Sequence, residues 1–471
     1  IYPDGKIING NTRTAFMRHE GMSPIKCTVV DDPFLRDKEI EMESELDIGP
    51  SGKIDYDDFA IGASIVDLKE MGKSNEDIAR IKSLKPQEVK ILAQAYELAQ
   101  ERLKLEGKED DWDILSKSDQ LYQDAAKDIL NPNKTAEEKE ALKSTWISDG
   151  RFLRRLEKNF SNYLSVRESI AVSNGTAAIH LIYLAMDLKK GDEIIVPGFG
   201  YMAAANLAIQ MGLKPIFADV DLDTFCVTAE NIKKKISKKT KLIVITHTYG
   251  NVCDIKPIIK LSKKRKIPLL EDSAESFGSR YYKKQSGTFG DFATFSFQAT
   301  KTITTGEGGM IVTKKGKSFI KKVRSLKTHG VLKTRYLHVY PGHNFRLTNL
   351  QAAVGCAQLK RFEKIIKERK RIFKYYEKLF FNFKGVKIQK FNKNVSPVVW
   401  TFALVLDEKY FPKRDKLIKH LLKKGIETRN GFYSPCRMKL YSNYKTSHLK
   451  NSNYLSRKVI CLPFYASLKE I

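Results

Sequence analysis

Two kinds of feature are missing from this 471-residue chain: a hydrophobic run long enough to cross a bilayer, and closely spaced cysteines. A membrane-spanning helix needs about 20 consecutive apolar residues, and no stretch approaches that length. The cysteines are scattered and form no CxxC pair, which argues against a zinc site and indicates a reducing compartment. We therefore expect a cytoplasmic protein without a membrane segment or a bound metal. The six cysteines are Cys27, Cys226, Cys253, Cys356, Cys436 and Cys461.

The start of the sequence lacks the features of a natural terminus. The chain begins with Ile1 rather than Met, no signal peptide is visible, and residues 1–31 have the composition of the middle of a domain. We expect the natural chain to extend beyond Ile1. The length alone allows two or more domains with a large core.

Acidic residues are scarce only after residue 145 of the chain. The formal net charge is +28, but residues 1–145 hold 21 Lys+Arg and 31 Asp+Glu, a net charge of −10, so the remainder carries +38. This asymmetry predicts two units of different character. A basic second unit would attract anionic substrates such as nucleotide sugars, although lysines spread over solvated faces would give the same composition.

The first unit contains a turn and a helical region that each allow two interpretations. Gly10-Asn-Thr-Arg13 resembles the phosphate-binding turn of ParB-like domains, and an ordinary β-turn is the alternative. Residues 61–104 have a helical pattern, with a capping box at Ser74–Asp77 and a break at Ser83–Pro86. This layout resembles a helix-turn-helix, and a plain helical hairpin is the alternative. The acidity of the unit argues against DNA as a partner of residues 1–105.

The second unit, from Trp146, alternates short apolar runs with helical patterns. Such alternation predicts the α/β class, with a mainly parallel sheet flanked by helices and a site at the carboxyl ends of the strands. Ser173-Asn-Gly-Thr176 turns from a strand into a helix, and the free amides of a helix N-terminus are suited to a phosphate. The predicted strands are 170–172, 193–196, 214–218, 242–246 and 267–270.

A capping box at Thr348–Gln351 begins a long helix that leads to a smaller domain. In that domain Trp400–Leu406 is predicted to be a strand, and Lys413–Lys424 a helix that ends at Gly425.

The predicted domains follow from these patterns. They are a ParB-like fragment at 1–32, a helical segment at 33–105, a linker at 106–145, a large domain at 146–375 and a small α+β domain at 376–471.

The most informative stretch is a predicted strand, Phe292–Phe297, that leads through Ser296 to Lys301 and a Gly-rich turn at Thr304–Gly309. A lysine between buried strands can lose its proton and react with a carbonyl as a Schiff-base amine. A solvated surface lysine is the alternative. Upstream, another buried strand ends in the acids of Glu271–Glu275, where a carboxylate could meet a protonated ring nitrogen.

Together these motifs resemble the DegT/DnrJ group of pyridoxal-phosphate (PLP) sugar aminotransferases, from about Trp146 to the last residue. The resemblance implies fold type I and PLP as cofactor. Members of the family run a little further than Ile471, so we expect the small domain to continue beyond that residue. Glu275, Tyr336–His338 and Gly425–Arg429 most resemble the GDP-perosamine synthase branch. The matching motifs are Ser173–Ala178, Glu271–Glu275, Ser296–Lys301, Gly306–Gly309 and Gly342–Asn349.

The resemblance assigns the catalytic chemistry to two residues. Lys301 is the Schiff-base lysine, which also moves a proton once substrate has released it. Asp272 keeps the ring nitrogen of PLP protonated; a helix cap is the alternative role for this acid. A branch of the family that performs dehydration has His in place of the lysine, so Lys301 argues for amino transfer.

The resemblance also implies the remaining cofactor contacts. Gly175 and Thr176 supply backbone amides to the phosphate and Ser296 a hydroxyl, while Tyr201 stacks on the ring and Glu275 lies near the cofactor hydroxyl or the sugar. Asn344 reaches the phosphate of a neighbouring subunit, which implies a homodimer with shared active sites. Each of these residues also has an ordinary structural interpretation as a core, turn or strand residue.

The implied reaction moves an amino group from L-glutamate to the C4 keto group of a nucleotide-linked 4-keto-6-deoxy sugar, for surface polysaccharide synthesis. His329 and His338 are candidate substrate residues, as is Arg429 for the nucleotide or a carboxylate; structural or surface roles are the alternatives. His247 is a further histidine that could line the site, with a structural role as the alternative. A second hypothesis is a ParB-like DNA- or nucleotide-binding protein with an appended aminotransferase domain.

Overall fold

The computed structural model describes residues 58–106, 135–144, 146–334 and 336–468 of the chain. The chain divides into two units, residues 1–145 and residues 146–471. The Gly10–Arg13 turn lies outside the described residues. Within the described ranges, none of the helices combines the length and the apolar composition that crossing a bilayer requires.

The described part of the first unit is helical, as its sequence pattern predicts. Apolar residues of the first three helices pack together, among them Ile65, Ile78 and Val89, all fully buried. The predicted break at Ser83–Pro86 is present, and a second break precedes Ser74. The helices are α1 (Asp58–Glu70), α2 (Asn75–Ile81), α3 (Pro86–Glu106) and α4 (Ala136–Lys143).

Only half of the predicted capping box at the start of α2 forms. The Ser74 hydroxyl oxygen accepts the Asp77 N–H at 3.1 Å, as an N-cap should. The Asp77 carboxylate accepts from the Ser74 hydroxyl at 2.6 Å. The shorter Asp side chain replaces the Glu or Gln that completes the reciprocal pair in a capping box. The predicted linker also contains α4, which has a complete capping box between Thr135 and Glu138.

A seven-stranded sheet forms the centre of the second unit, in the order β1-β9-β8-β5-β4-β2-β3. All neighbouring pairs are parallel except those of β9, which runs antiparallel to β1 and β8. The fold is therefore the predicted mainly parallel α/β class. The strands are β1 (Ser169–Val172), β2 (Glu193–Pro197), β3 (Lys214–Ala218), β4 (Thr240–Thr246), β5 (Leu269–Asp272), β6 (Arg280–Tyr281), β7 (Lys284–Gln285), β8 (Phe292–Ser296) and β9 (Gly309–Thr313).

Both faces of this sheet are covered, because its strands are apolar at consecutive positions. Ile194 and Val196 of β2 belong to one buried cluster, and Ile195 belongs to the other. Successive side chains of a strand point to opposite faces, so a sheet covered on both sides needs such runs. The helices of the large domain are α5 (Arg151–Leu164), α6 (Gly175–Ala185), α7 (Ala203–Gln210), α8 (Ala229–Lys233), α9 (Ile255–Arg265) and α10 (Lys317–Leu326).

The outer edge of β1 is held by a buried ion pair instead of another strand. The Glu157 carboxylate accepts the Ala171 N–H at 2.8 Å, and Lys327 Nζ donates to the Ala171 carbonyl at 2.8 Å. Their charged groups lie 3.7 Å apart. An uncapped edge strand exposes unpaired backbone groups. This pair satisfies the backbone N–H and carbonyl groups of Ala171, in the strand that leads into the Ser173–Thr176 turn.

The predicted long bridging helix is two helices, α11 (Asn349–Lys360) and α12 (Phe362–Phe380). The Thr348–Gln351 capping box forms as predicted. The helix breaks at Arg361, which has a non-helical ψ of 5°. Directly after the break, Phe362 packs on Phe277 with their ring centroids 4.4 Å apart. The apolar residues on both sides of the break keep the spacing of one continuous helix. The sequence pattern therefore does not predict the break.

The part of the second unit that is predicted to be the small domain contains a four-stranded antiparallel sheet, ordered β10-β12-β14-β13. Its apolar residues pack against α12 and α13. Strand β11 joins β6 and β7 in a separate small sheet. The elements are β10 (Val386–Ile388), β11 (Val395–Ser396), β12 (Phe402–Leu406), α13 (Arg414–Lys423), β13 (Arg429–Asn430), α14 (Lys450–Lys458) and β14 (Val459–Leu462).

Candidate active site

A cavity of about 1880 Å³ lies at the carboxyl ends of the central strands and extends to the small domain. Of the eleven predicted site residues, eight line it. Chain segments that are up to 254 residues apart in the sequence therefore meet at one place. The eight residues are Gly175, Thr176, Tyr201, Asp272, Glu275, Ser296, Lys301 and Arg429.

One end of the cavity is suited to a phosphate. Helix α6 begins at Gly175, so the amides of Gly175 and Thr176 lie in its first turn, where backbone N–H groups have no partner within the helix. The Asn174 side chain caps the helix by accepting the Ala177 N–H at 2.7 Å. A Cβ on Gly175 would lie 3.0 Å from Ser296 Cβ, so glycine allows the hydroxyl residue to approach this turn.

Asp272 supplies a buried carboxylate at the end of β5. Its side chain oxygen accepts the Ala274 N–H at 3.1 Å, and the residue is 5% exposed. Burial raises the pKa of Asp272, and the Ala274 N–H, Lys301 and His247 oppose that rise. A cationic partner in the cavity, such as a protonated ring nitrogen, would compensate the cost of burying this charge.

The Lys301 amine lies between an acid and an aromatic ring. Its Nζ is 3.8 Å from Glu275 Oε1 and 3.9 Å from the centre of the Trp400 ring. The side chain is only 14% exposed. Lys301 is therefore a partly buried amine inside the cavity, in contrast to the alternative of a solvated surface lysine.

Glu275 is buried beside this amine. Its other carboxylate oxygen accepts the Tyr249 N–H at 2.9 Å. Burial raises the pKa of Glu275 to about 7, although Lys301 and the Tyr249 N–H lower it. The carboxyl group can thus gain or lose a proton near neutral pH, which suits a group that exchanges protons with its neighbours.

Tyr201 and Arg429 approach the cavity from two sides. Tyr201 is 66% exposed, and its ring meets the ring of Phe432 edge-on at 6.5 Å. Arg429 lies on β13 of the small domain and is also exposed. Both side chains have room to contact a molecule that enters from solvent.

The other three predicted residues, His329, His338 and Asn344, do not line the cavity of this chain. They lie in one segment whose backbone forms bridges between Thr328 and Asn344 and between Val331 and His338. His338 Nδ1 lies 2.6 Å from the His329 carbonyl, and Asn344 Oδ1 accepts from Arg346 Nε at 3.0 Å. The His338 ring therefore contacts the backbone of His329 within this segment.

His247, a further histidine considered as a site residue, is fully buried and pairs with Glu271. Its Nδ1 accepts the Cys253 N–H, so the proton lies on Nε2, which donates to Glu271 at 2.9 Å. Glu271 also accepts three backbone N–H groups, from Gly287, Phe289 and Gly290. His247 thus has a structural role behind the site.

Sequence reasoning missed two residues of the cavity. Trp400 contacts the Lys301 amine, and Phe432 connects Trp400 with Tyr201. Neither residue lies in a motif, and 99 residues separate Trp400 from Lys301, so no local pattern marks the contact. Across the described residues, His, Cys, Asp and Glu side chains form no group of three or more that could hold a metal ion.

The residues present fit PLP. Helix-terminal amides and a serine hydroxyl suit its phosphate, a buried carboxylate suits its ring nitrogen, and an enclosed amine suits its aldehyde. When bound, PLP supplies a carbonyl that accepts an amino group and a ring that withdraws electrons.

Comparison with known proteins agrees with this fit. Two curated relatives are named GDP-perosamine synthase. The one from Escherichia coli O157:H7 is 39% identical over 346 residues, 72% of this chain and 93% of the relative. The one from Vibrio cholerae is 37% identical over 333 residues, 70% of this chain and 90% of the relative. A solved structure of E. coli GDP-4-keto-6-deoxy-D-mannose-3-dehydratase with bound hydrated PLP has a TM-score of 0.66 and 25% identity, covering 72% of this chain and 95% of that chain.

The fold, the cavity and the relatives together define the class of enzyme, which is a PLP-dependent aminotransferase of the α/β type. More narrowly, the chain belongs to the DegT/DnrJ/EryC1/StrS aminotransferase family, whose model matches residues 128–470. The match begins earlier than the predicted boundary at Trp146 and includes α4. It gives no support to the ParB-like interpretation of residues 1–105.

Proposed function

We propose that this enzyme transfers an amino group from L-glutamate to the C4 keto carbon of a GDP-linked 4-keto-6-deoxy sugar. The GDP-perosamine synthase relatives, at 37–39% identity over most of their length, support this substrate. The observation that carries the proposal is the meeting of Lys301, Asp272 and the α6 N-terminus around one cavity. We place the reaction in the cytoplasm.

Lys301 would hold PLP through its amine, which bonds to aldehydes. As a free amine, its Nζ would accept the proton from Cα of the amino donor. The contact with Glu275 at 3.8 Å supports this role, because a carboxyl group this close can exchange a proton with the amine. Asp272 holds a proton on the ring nitrogen, since a buried carboxylate favours a cationic partner.

The phosphate binds to the amides of Gly175 and Thr176 and to the Ser296 hydroxyl. The small domain contributes Arg429, a fixed positive charge for the diphosphate or for a substrate carboxylate. Tyr201 stacks on the cofactor ring from the exposed side of the cavity. The proposed domain division, a large domain at 146–375 and a small one at 376–471, places these groups on both sides of the cavity.

We further propose a homodimer in which Asn344 completes the phosphate site of the partner, with His329 and His338 near the substrate. Two facts support this arrangement: these residues do not line the cavity of their own chain, and their segment carries exposed apolar side chains. Tyr336 is 76% exposed and Leu337 58%. Exposed apolar groups in one segment are typical of an interface. The proposal includes no DNA-binding role for residues 1–105.

The first test is the visible spectrum of the purified protein with PLP, before and after addition of L-glutamate. We expect a visible band of lysine-bonded cofactor that disappears with glutamate. Lys301→Ala should abolish the band, whereas Lys315→Ala, a matched change at a more exposed lysine outside the cavity, should retain it. Absence of the band in the wild-type protein would refute the proposal.

Mixed dimers test the shared site. Lys301→Ala and Asn344→Ala are purified separately, mixed and allowed to exchange subunits. If Asn344 acts across the interface, each mixed dimer has one intact site, and random exchange restores about one quarter of wild-type activity. Activity that stays at the level of the separate variants would exclude a shared site. The same amination assay with GDP-, UDP- and dTDP-linked keto sugars tests the nucleotide.

A further inference from the structure

Trp400 makes two contacts with the loop that carries Lys301. The Lys301 Nζ lies 3.9 Å from the centre of the indole ring, and Trp400 Nε1 donates to the Thr300 carbonyl at 2.8 Å. Thr300 directly precedes Lys301 in the chain. One side chain from the start of the small domain therefore holds both the backbone and the amine of this segment. The face of an indole ring attracts a cation more strongly than other aromatic rings do.

The backbone of Trp400 is itself held by buried groups. Arg369 is 5% exposed and donates from Nη1 to the carbonyls of Val399 at 3.2 Å and Trp400 at 3.1 Å. The Trp400 N–H donates to the Tyr249 carbonyl at 3.2 Å. Helix α12 and the large domain thus fix this residue from two directions, so its ring position is determined by the junction of the two domains.

Neighbouring rings restrict the indole further. Trp400 and Phe432 are stacked with an interplanar angle of 13° and a centroid distance of 6.5 Å, and the Tyr249 ring lies 6.0 Å away. Phe432 in turn meets Tyr201. Rotation of the indole away from Lys301 would break these contacts. The Lys301 amine therefore contacts the restrained indole ring of Trp400 and the Glu275 carboxylate.

We propose that Trp400 is a positioning residue that holds the free amine of Lys301 inside the cavity whenever the lysine is not bonded to PLP. The inference rests on the proposed role of Lys301. A lysine side chain has four rotatable bonds, and an unrestrained amine would spend much of its time away from the reacting atoms. Fixed placement of a reacting group is a large source of rate enhancement, and small displacements are costly.

The test compares Trp400→Leu, which removes both contacts, with Trp400→Phe, which keeps a ring face but cannot donate to Thr300. Cofactor-free protein is mixed with PLP, and the rate at which the lysine-bonded band forms is followed from pH 6 to pH 10. The rates are compared on the plateau that they reach at high pH. We expect the plateau rate of Trp400→Leu to fall roughly 10-fold and that of Trp400→Phe no more than about 3-fold.

A second readout is the isotope effect with α-deuterated L-glutamate. A misplaced amine slows transfer of the Cα proton, so the isotope effect on kcat should increase in Trp400→Leu while KM changes little. Trp146→Leu, at an exposed tryptophan that does not line the cavity, is the control and should match the wild type in both experiments. Thermal unfolding checks the folding of each variant, and Trp400→Met replaces Trp400→Leu should the latter not fold.

The proposal is overturned by a Trp400→Leu plateau rate within 2-fold of wild type together with an unchanged isotope effect. It is also overturned by equal losses in Trp400→Phe and Trp400→Leu, because then the ring face does not matter. A wild-type protein that forms no lysine-bonded band would instead refute the proposed function, before any variant is compared.

Discussion

Replacing Glu275 with Gln should change how the stability of the enzyme depends on pH. Burial raises the pKa of this carboxyl from 4.5 to about 7. The folded protein therefore binds this proton more tightly than the unfolded chain does. Folding is favoured while the group is protonated in both states, and stability falls as the pH rises from about 4.5 to 7. Above pH 7 the stability contributed by protonated Glu275 is fully lost.

The size of the effect follows from the shift. A change of one pKa unit corresponds to about 1.4 kcal/mol, so the charged carboxylate costs about 3 kcal/mol of unfolding free energy above pH 7. Gln is neutral at every pH, nearly the same size, and its carbonyl oxygen can still accept the Tyr249 N–H. Glu275→Gln should therefore remove this cost and be more stable than the wild type at pH 8, by up to about 3 kcal/mol.

The measurement is urea unfolding of cofactor-free protein at half-unit steps from pH 5 to pH 8.5. Because most other ionisable groups are unchanged, the difference between the two proteins isolates this carboxyl. The difference should grow steadily from pH 5 to pH 7 and then level off. Parallel stability curves over that range would refute the assignment of a raised pKa to Glu275. Lys301→Met provides a matched control, since loss of the cation should increase the pH dependence of Glu275 further.

Three further outcomes are expected. Asp272→Asn should still bond PLP through Lys301 but lower kcat roughly 100-fold, because the ring nitrogen loses its charged partner; steady-state kinetics with a full cofactor spectrum checks this. Lys327→Met should destabilise the second unit by about 1–3 kcal/mol in denaturant unfolding, because the buried Ala171 carbonyl loses its donor, while Glu157 keeps the Arg324 guanidinium 2.9 Å away. Arg429→Gln should raise KM for the nucleotide sugar with little change in kcat if the arginine supplies binding energy, and an unchanged KM would contradict that role.

Local patterns predict the class of fold, and the resemblance of the motifs to an aminotransferase family supplies the candidate site residues. The capping box at Thr348 and the strand-to-helix turn at Gly175 are encoded in a few adjacent residues, so both are visible in the chain. Ser296, Lys301 and Asp272 stand at fixed distances from buried strands. Because the ends of neighbouring parallel strands meet at one edge of the sheet, these residues were expected to converge, and they line one cavity.

Other features have no local signal. The break at Arg361 interrupts a continuous apolar pattern, and Phe362 directly after it packs against Phe277, which is 85 residues away in sequence. The capping box at Ser74 is only half formed because the Asp77 side chain is shorter than the Glu or Gln of a complete box. His247 resembled a site residue, but its two hydrogen bonds place it in a buried pair.

The sequence by itself determined the alternation of strands and helices, the order of the motifs and the residue types that PLP chemistry requires, since each depends on neighbours close in the chain. Only the tertiary structure decided which groups surround the Lys301 amine. Trp400 reaches it from 99 residues away, and Arg369 and Tyr249 fix that tryptophan through backbone contacts that carry no sequence signature. The pKa of Glu275 likewise depends on burial, which the local sequence does not specify.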